Sequence, residues 1–223
     1  MEKEQTAFIF DLDGVIVDTA KYHFLAWKKL ADELGIPFTK EDNEQFKGVS
    51  RRRCLEILLE MGNVKVPDEQ FNTWLEEKNK DYLAYIDTMD KDEVLPDVPK
   101  VLQYLKGRNI RMALGSASKN ARPILEKVSL LSYFGVIVDG TEVFKAKPDP
   151  EVFLKASEKM GAKPKNCVVF EDALAGIDAA NTAGMTSIGI GNPEILSKAR
   201  YNFTDFTEIE LDFLDTLTHN NTD

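Results

Sequence analysis

The sequence predicts an α/β protein: a doubly wound parallel sheet interrupted after its first strand by an all-helical insertion. Two patterns carry that expectation. Short, wholly apolar runs that stop at polar residues alternate with helical spacing through the second half of the chain, and the strand pattern vanishes between Thr19 and about Tyr85. A run without polar alternation is what a parallel strand covered on both faces looks like.

Taken in order, Ala7-Phe8-Ile9-Phe10 is the first such run and stops at Asp11. Helical spacing follows in Phe24-Trp27-Leu30-Leu34 before Gly35, in Leu55-Leu58-Leu59 before Gly62, and from Phe71-Leu75 onward to Tyr82 and Tyr85. Asp90, Asp92, Asp97 and two prolines then punctuate the chain. We therefore expect residues 1–18 and 91–223 to form the sheet domain and 19–90 a helical cap, with hinges near Asp18-Thr19 and between Asp90 and Pro96. Beyond the insertion the expected order is a helix on Val101-Leu102-Leu105, a strand on Met112-Ala113-Leu114 ending at Gly115-Ser116, and helices on Ile124-Leu125-Val128 and Val152-Phe153-Ala156-Met160. A strand on Cys167 to Phe170 ending at Glu171-Asp172, a helix on Ala173-Ile177-Ala180 and a strand from Thr186 to Ile190 come next. Periodicity near Glu208 to Leu217 suggests a terminal helix.

Composition limits the function. With 223 residues, 43% hydrophobic and 30% charged, the chain is that of an ordinary globular protein. Its 28 basic against 38 acidic residues give a net charge of -10, the wrong sign for tracking nucleic acid or coating an anionic membrane. Any anionic ligand must then be held by a local cationic site. Only Cys54 and Cys167 are present, which excludes a disulfide scaffold and fits reduced thiols. The polar start, Met1 to Gln5, and the break at Asp11 give neither a secretory signal nor a membrane span, so a cytoplasmic protein is expected.

Ligands of open α/β sheets bind beyond the carboxyl ends of the strands, so the polar residues there are the candidates. Asp11 and Asp13 are two apart, and a period of two points both carboxylates the same way. Glu171 and Asp172 add two more at another strand end. Such a cluster implies a hard divalent ion with oxygen ligands, Mg²⁺, although either pair alone equally suits capping of the helix that follows. Ser116, in Gly115-Ser116-Ala117-Ser118-Lys119-Asn120, offers hydroxyl and backbone donors to a phosphate where a strand gives way to a helix. Lys147, in Lys145-Ala146-Lys147-Pro148, lies in an extended segment because a proline follows it. Taken alone, it reads as a solvated lysine.

The order of these pieces is more specific than any one of them. Asp-x-Asp after the first strand, Ser after the second, Lys-Pro in a later loop and Glu-Asp after another strand resembles the four-motif layout of the haloacid dehalogenase superfamily, and with it that superfamily's Rossmann-like core. The insertion resembles the cap of the β-phosphoglucomutases. The matching stretches are Phe10 to Ile16, Asp18 to Phe24, Ala26-Trp27-Lys28, Lys47-Gly48-Val49-Ser50-Arg51, Lys78-Asn79, Ser116 to Asn120, and Glu171-Asp172 with Ala175-Gly176-Ile177.

That resemblance implies an Mg²⁺-dependent enzyme interconverting β-D-glucose 1-phosphate and glucose 6-phosphate, with glucose 1,6-bisphosphate as intermediate and activator. Asp11 would take the phosphoryl group, a carboxylate being suited because its acyl phosphate passes the group on. Asp13 would be the general acid and base, and Ser116 and Lys147 would bind the phosphoryl oxygens. The metal would be held by Asp11, the backbone carbonyl of Asp13 and Asp172, with Glu171 behind it through water. Substrate contacts would come from Lys47, Gly48, Val49, Ser50, Ala117 and Lys119, with Arg51 gripping the other phosphate beside Ser118 and Asn120. His23 and Lys78 would organise the sugar and the general acid, and Thr19 would place Asp13 as the cap closes. Arg52 and Arg53 are expected to form a solvated basic turn, and Trp27 to be core. The expected partner is a small sugar phosphate, with no nucleic acid or membrane, and the protein is expected to be a monomer.

Other readings fit less well. A receiver domain also clusters aspartates with Ser or Thr and Lys, but its acids lie on different strands and it has no cap. Gly189-x-Gly191 lacks the third glycine of a dinucleotide fingerprint, and Val15 breaks a calcium loop begun by Asp11-Leu12-Asp13-Gly14. A capped sugar-phosphate phosphatase of the same superfamily shares every core residue, so only His23, Lys47 to Arg51 and Lys78 favour the mutase.

Overall fold

The fold was analysed in a computed structural model, which describes residues 5–219. Its centre is a six-stranded sheet in the order β3-β2-β1-β4-β5-β6, parallel throughout. The strands are β1 (Ala7–Phe10), β2 (Arg111–Gly115), β3 (Val136–Val138), β4 (Cys167–Glu171), β5 (Thr186–Ile190) and β6 (Tyr201–Phe203). Alternate residues of each strand face opposite layers. Phe8, Phe10, Leu114, Val168 and Phe170 share one core with α5 (Val98–Gly107), α6 (Ala121–Lys127) and α9 (Leu211–His219). Ala7, Ile9, Ala113 and Val169 share the other with α7 (Glu151–Met160) and α8 (Leu174–Thr182). Phe10 and Phe170 stack at 4.8 Å across neighbouring strands, so aromatic contact as well as apolar area holds β1 to β4.

Between β1 and α5 the chain is helical: α1 (Ala20–Glu33), α2 (Lys40–Glu44), α3 (Arg51–Met61) and α4 (Asp68–Ile86). This segment has its own apolar core around Trp27, Leu30, Phe38, Leu55, Leu58 and Phe71. Its two connections to the sheet are paired with each other. Val17 and Val94 form an antiparallel bridge, Asp18 N–H donates to the Glu93 carbonyl at 2.9 Å, and Leu95 N–H donates to the Ile16 carbonyl at 3.0 Å.

Four elements differ from the sequence expectation. β3 and β6, three residues each at the two edges of the sheet, were not expected, nor was α2, a single turn fixed by a capping box between Thr39 and Asp42. The terminal helix starts at Leu211 rather than Glu208, because Asp205 accepts the Thr207 N–H at 2.8 Å and draws Phe206–Glu208 into a separate 3₁₀ turn. Among the described residues no helix is long and apolar enough to cross a membrane.

Candidate active site

The strand register assembles the site. Phe10 is level with Leu114 on one side and Phe170 on the other, so the residues that follow, Asp11, Gly115 and Glu171, reach the same edge together. β1 lies where the strand order reverses direction, which opens a crevice at its carboxyl end. Buried there, the Lys147 ammonium stands 2.5 Å from Asp11 Oδ1 and 2.5 Å from Glu171 Oε1. Burial alone would depress the lysine's pKa, but the two carboxylates outweigh it and hold the amine charged. Glu171 Oε2 accepts the Ala173 N–H at 2.7 Å, so both of its oxygens are engaged. Ser116, also buried, accepts the Ser118 N–H at 3.1 Å, and Ser118 Oγ accepts the Asn120 N–H at 3.2 Å, which curls the loop after β2 over the strand end.

Asp13 departs from the simple period of two. The chain leaves strand geometry after Phe10, so the two carboxylates do not point alike. Asp11 Oδ2 accepts the Asp13 N–H at 3.0 Å, while Asp13 turns its own carboxylate to the insertion, where Oδ1 accepts the Thr19 hydroxyl. Thr19 stands at the N-cap of α1 yet makes no side-chain cap bond there, its hydroxyl being committed to Asp13. Burial, and then the Asp11 charge, push the Asp13 carboxyl up to about 6. Of the four acids expected near an ion, two have side-chain oxygens engaged by the protein itself, and among the described residues the His, Cys, Asp and Glu side chains form no ready cluster of three or more. Asp13 is drawn away by Thr19, and Glu171 is filled by Lys147 and Ala173.

Asp172 is only partly compensated by the protein. Burial, with the Glu171 charge next, holds its carboxyl well above the ordinary range, and Lys47 at 3.5 Å offsets only part of this. Gly14 makes the close approach possible. Its φ is +80°, and a Cβ there would run into Asp172 Oδ2.

Opposite the strand ends, the insertion supplies a second wall. Lys78 is buried, with Nζ 3.1 Å from His23 Nδ1 and over the rings of Trp27 at 4.6 Å and Tyr82 at 4.9 Å. Burial, then the Arg51 charge, lowers its amine to about 7. His23 stacks on Tyr82 at 4.2 Å, its Nε2 is 3.8 Å from Asp13 Oδ1, and burial beside Lys78 and Arg51 holds it neutral. Arg51 opens α3 behind its N-cap Ser50, and among the described residues it has no hydrogen bond or ion pair. Arg53 bonds Glu56 and Glu60 away from the site, whereas Arg52, expected to be merely solvated, lies on the cavity wall with its guanidinium over Phe71.

The two walls enclose a cavity of about 500 Å³ lined by Asp11, Asp13, Asp172, Ser116 to Asn120, His23, Lys47 to Arg51 and Lys78. Thr19, Lys147 and Glu171 stand behind its surface. The sequence reading passed over Asn43, Asn79 and Tyr82, which also line it, and took Trp27 as core alone. Asn79 Oδ1 accepts Asn120 Nδ2 at 3.2 Å, a direct bond between the two walls. Asn79 stood in the matching stretch Lys78-Asn79 but was given no role there. Tyr82 carried the helical spacing of a core residue, so nothing in the pattern set it apart.

The family model for haloacid dehalogenase-like hydrolases matches residues 5–184. The chain is 40% identical to a β-phosphoglucomutase of Bacillus subtilis over 210 residues, 93% of each chain. It is 34% identical to a phosphorylated carbohydrates phosphatase of Thermotoga maritima, over 82% of this chain and 83% of that one. The crystal structure of a β-phosphoglucomutase from Clostridium difficile superposes with a TM-score of 0.92 at 40% identity, covering 96% of this chain and 97% of that one. Motif order, parallel sheet, helical insertion and these matches agree, and the chain belongs to the haloacid dehalogenase-like hydrolase family, beside its β-phosphoglucomutases.

Proposed function

We propose that the protein is a β-phosphoglucomutase, interconverting β-D-glucose 1-phosphate and glucose 6-phosphate through an aspartyl phosphate on Asp11 and a glucose 1,6-bisphosphate intermediate. One observation supports it above the rest. The cavity has a phosphoryl-transfer end at Asp11, Ser116 and Lys147 and, on the facing wall, an unpaired cation in Arg51. A phosphatase needs the first; a substrate phosphorylated at both ends needs both.

In this reading the Asp11 carboxylate attacks phosphorus, the phosphorus–oxygen bond to the sugar breaks, and Asp13 returns a proton to the departing oxygen. In the reverse sense Asp13 takes the proton of the sugar hydroxyl that attacks phosphorylated Asp11. A pKa near 6 suits a group that must do both close to neutrality. Lys147 and Ser116 hold the phosphoryl oxygens, and Lys147, bonded to Asp11 Oδ1, keeps that carboxylate aimed. After one transfer the bisphosphate turns end for end, and Arg51, with Ser118 and Asn120, grips whichever phosphate is not reacting. Lys78 and His23 face the sugar between them.

The donor set fits Mg²⁺, which commonly takes one or two carboxylates with water and substrate oxygens completing its shell. Asp11, Asp172 and the Asp13 carbonyl would hold it, and Asp172, whose carboxyl is held well above the ordinary range, is a group that a cation would relieve. Bound there, the ion would neutralise charge on the phosphoryl group. We further propose that the enzyme works as a monomer in the cytoplasm, with residues 19–90 acting as its cap.

The test follows β-D-glucose 1-phosphate with and without added glucose 1,6-bisphosphate. A lag that the bisphosphate removes, with glucose 6-phosphate as product, is expected. Inorganic phosphate released in step with sugar consumption, and no effect of the bisphosphate, would make the protein a phosphatase.

A further inference from the structure

Asn120 stands at the N-cap of α6, where an asparagine ordinarily turns its side chain back onto the first free N–H groups of the helix. It makes no such bond here. The carboxamide is committed to the facing wall instead, where Nδ2 donates to Asn79 Oδ1 of α4 at 3.2 Å and joins two cavity-lining residues 41 apart in sequence. Helix α6 thereby forgoes a stabilising cap, as α1 does where Thr19 serves Asp13. Burial does not force the choice. Both asparagines are half-buried, within reach of water, so neither amide needs the other in order to be paired.

The bond bears on how Asn120 can meet a ligand. A phosphate dianion offers only acceptors, so a carboxamide grips it through the nitrogen, and one free to rotate presents its carbonyl as readily. Asn79 Oδ1, itself an acceptor, draws Nδ2 to its side and takes one of the two N–H groups, which leaves the other for a phosphate oxygen. The Asn120 backbone is fixed as well, its N–H donating to Ser118 Oγ at 3.2 Å. Asn79 comes from the insertion and Asn120 from the sheet domain, so this setting exists only while the two walls stand together. We propose that Asn79 is a positioning residue, which turns the Asn120 carboxamide toward the non-reacting phosphate and makes that grip depend on the insertion lying against the loop after β2. This deepens the mutase reading and rests on it.

The experiment is a double-mutant cycle between the two asparagines. The kcat/KM values for β-D-glucose 1-phosphate, with glucose 1,6-bisphosphate added, are measured for the wild type, Asn79→Ala, Asn120→Ala and the double variant, with acetyl phosphate hydrolysis and thermal unfolding of each protein recorded alongside. Each single variant is expected to lose about tenfold on the sugar phosphate and far less on acetyl phosphate, which has no second end to grip, and the double variant to lose no more than Asn120→Ala alone. A merely structural role would lower both substrates by one factor, and losses that multiply would make the two residues independent; either overturns the inference, as does a single variant that keeps the wild-type kcat/KM. Should Asn79→Ala fail to fold, Asn79→Leu, closer in size, is run through the same cycle, and misfolding of both also overturns it. A wild type that turns over no hexose phosphate would refute the mutase reading itself, whereas an active wild type with independent losses refutes only the part assigned to Asn79.

Discussion

Lys78→Met should make the protein more stable at pH 6, and by an amount that shrinks as the pH rises. The ammonium is buried against Trp27 and Tyr82 with a neutral His23 as its hydrogen-bond partner and no carboxylate in contact. Its pKa falls from the ordinary 10.5 to about 7, which corresponds to about 5 kcal/mol of cost for the charged form. Below pH 7 the lysine is protonated in both the folded and unfolded chain, so the folded protein bears that cost in full. Between 7 and 10.5 only the unfolded chain holds the proton, and stability rises with pH by about 1.4 kcal/mol per unit. Methionine has nothing to titrate. It forfeits the cation–π contacts, about 1 to 2 kcal/mol, so the net gain at pH 6 should be about 3 kcal/mol, and it should fall by about 3 kcal/mol between pH 7 and 9. Urea unfolding of both proteins at four pH values, in buffers free of phosphate, reads this directly. A difference that does not change with pH, or a variant less stable at pH 6, would refute the reasoning. The charge is kept, in this view, for an anionic ligand, and turnover of β-D-glucose 1-phosphate should be lost in the same variant.

Four further outcomes are expected. Asp11→Asn should abolish phosphoryl transfer, checked by steady-state turnover and by the absence of a phosphorylated protein in intact mass, since an amide cannot attack phosphorus. Asp13→Asn should keep Mg²⁺ affinity, measured by titration calorimetry, yet lose roughly a hundredfold to ten-thousandfold in rate through missing proton transfer. Exhaustive chelation should silence the enzyme, with Mg²⁺ restoring activity and Ca²⁺ doing so poorly because of its size and looser shell; full activity after chelation would count against the metal. Arg51→Ala should depress conversion of β-D-glucose 1-phosphate far more than hydrolysis of acetyl phosphate, which has no second end to grip. The loss should be several kcal/mol by the ratio of kcat/KM values.

What the sequence disclosed depended on length and burial. β1, β2, β4 and β5 were legible because each is a run of four or five residues enclosed by the sheet's two cores, where most side chains are apolar. β3 has three residues, and β6, half-exposed at the sheet edge, carries Asn202 at its centre, so neither shows a period. Missing β3 also hid Asp139, a buried acid just past that strand, whose Oδ1 accepts the Thr141 N–H and hydroxyl. Within the site, Asp11, Ser116 and Glu171 were readable as polar residues ending apolar strands. Lys147, which alone reads as a solvated lysine, was named only through the order of the four motifs, and the fold shows that it is buried between Asp11 and Glu171. The turning of Asp13 toward Thr19 was equally hidden, because it depends on where strand geometry ceases rather than on spacing. Asn43 and Tyr82 lie on helices whose spacing only separates inside from outside, and a cavity wall counts as inside.

The pairing of Val17 with Val94, flanked by the bonds from Asp18 to Glu93 and from Leu95 to Ile16, brings the two ends of a long inserted segment together. An insert whose ends already meet asks little of its host: exchanging it for one of another length alters the closure entropy only logarithmically and leaves the strand register untouched. The sheet and the inserted segment are thus joined at one place, where an exchange would leave the strands as they are. A laboratory graft at residues 18 and 93, where the paired backbone already closes the insert, would be the shortest route to such an exchange.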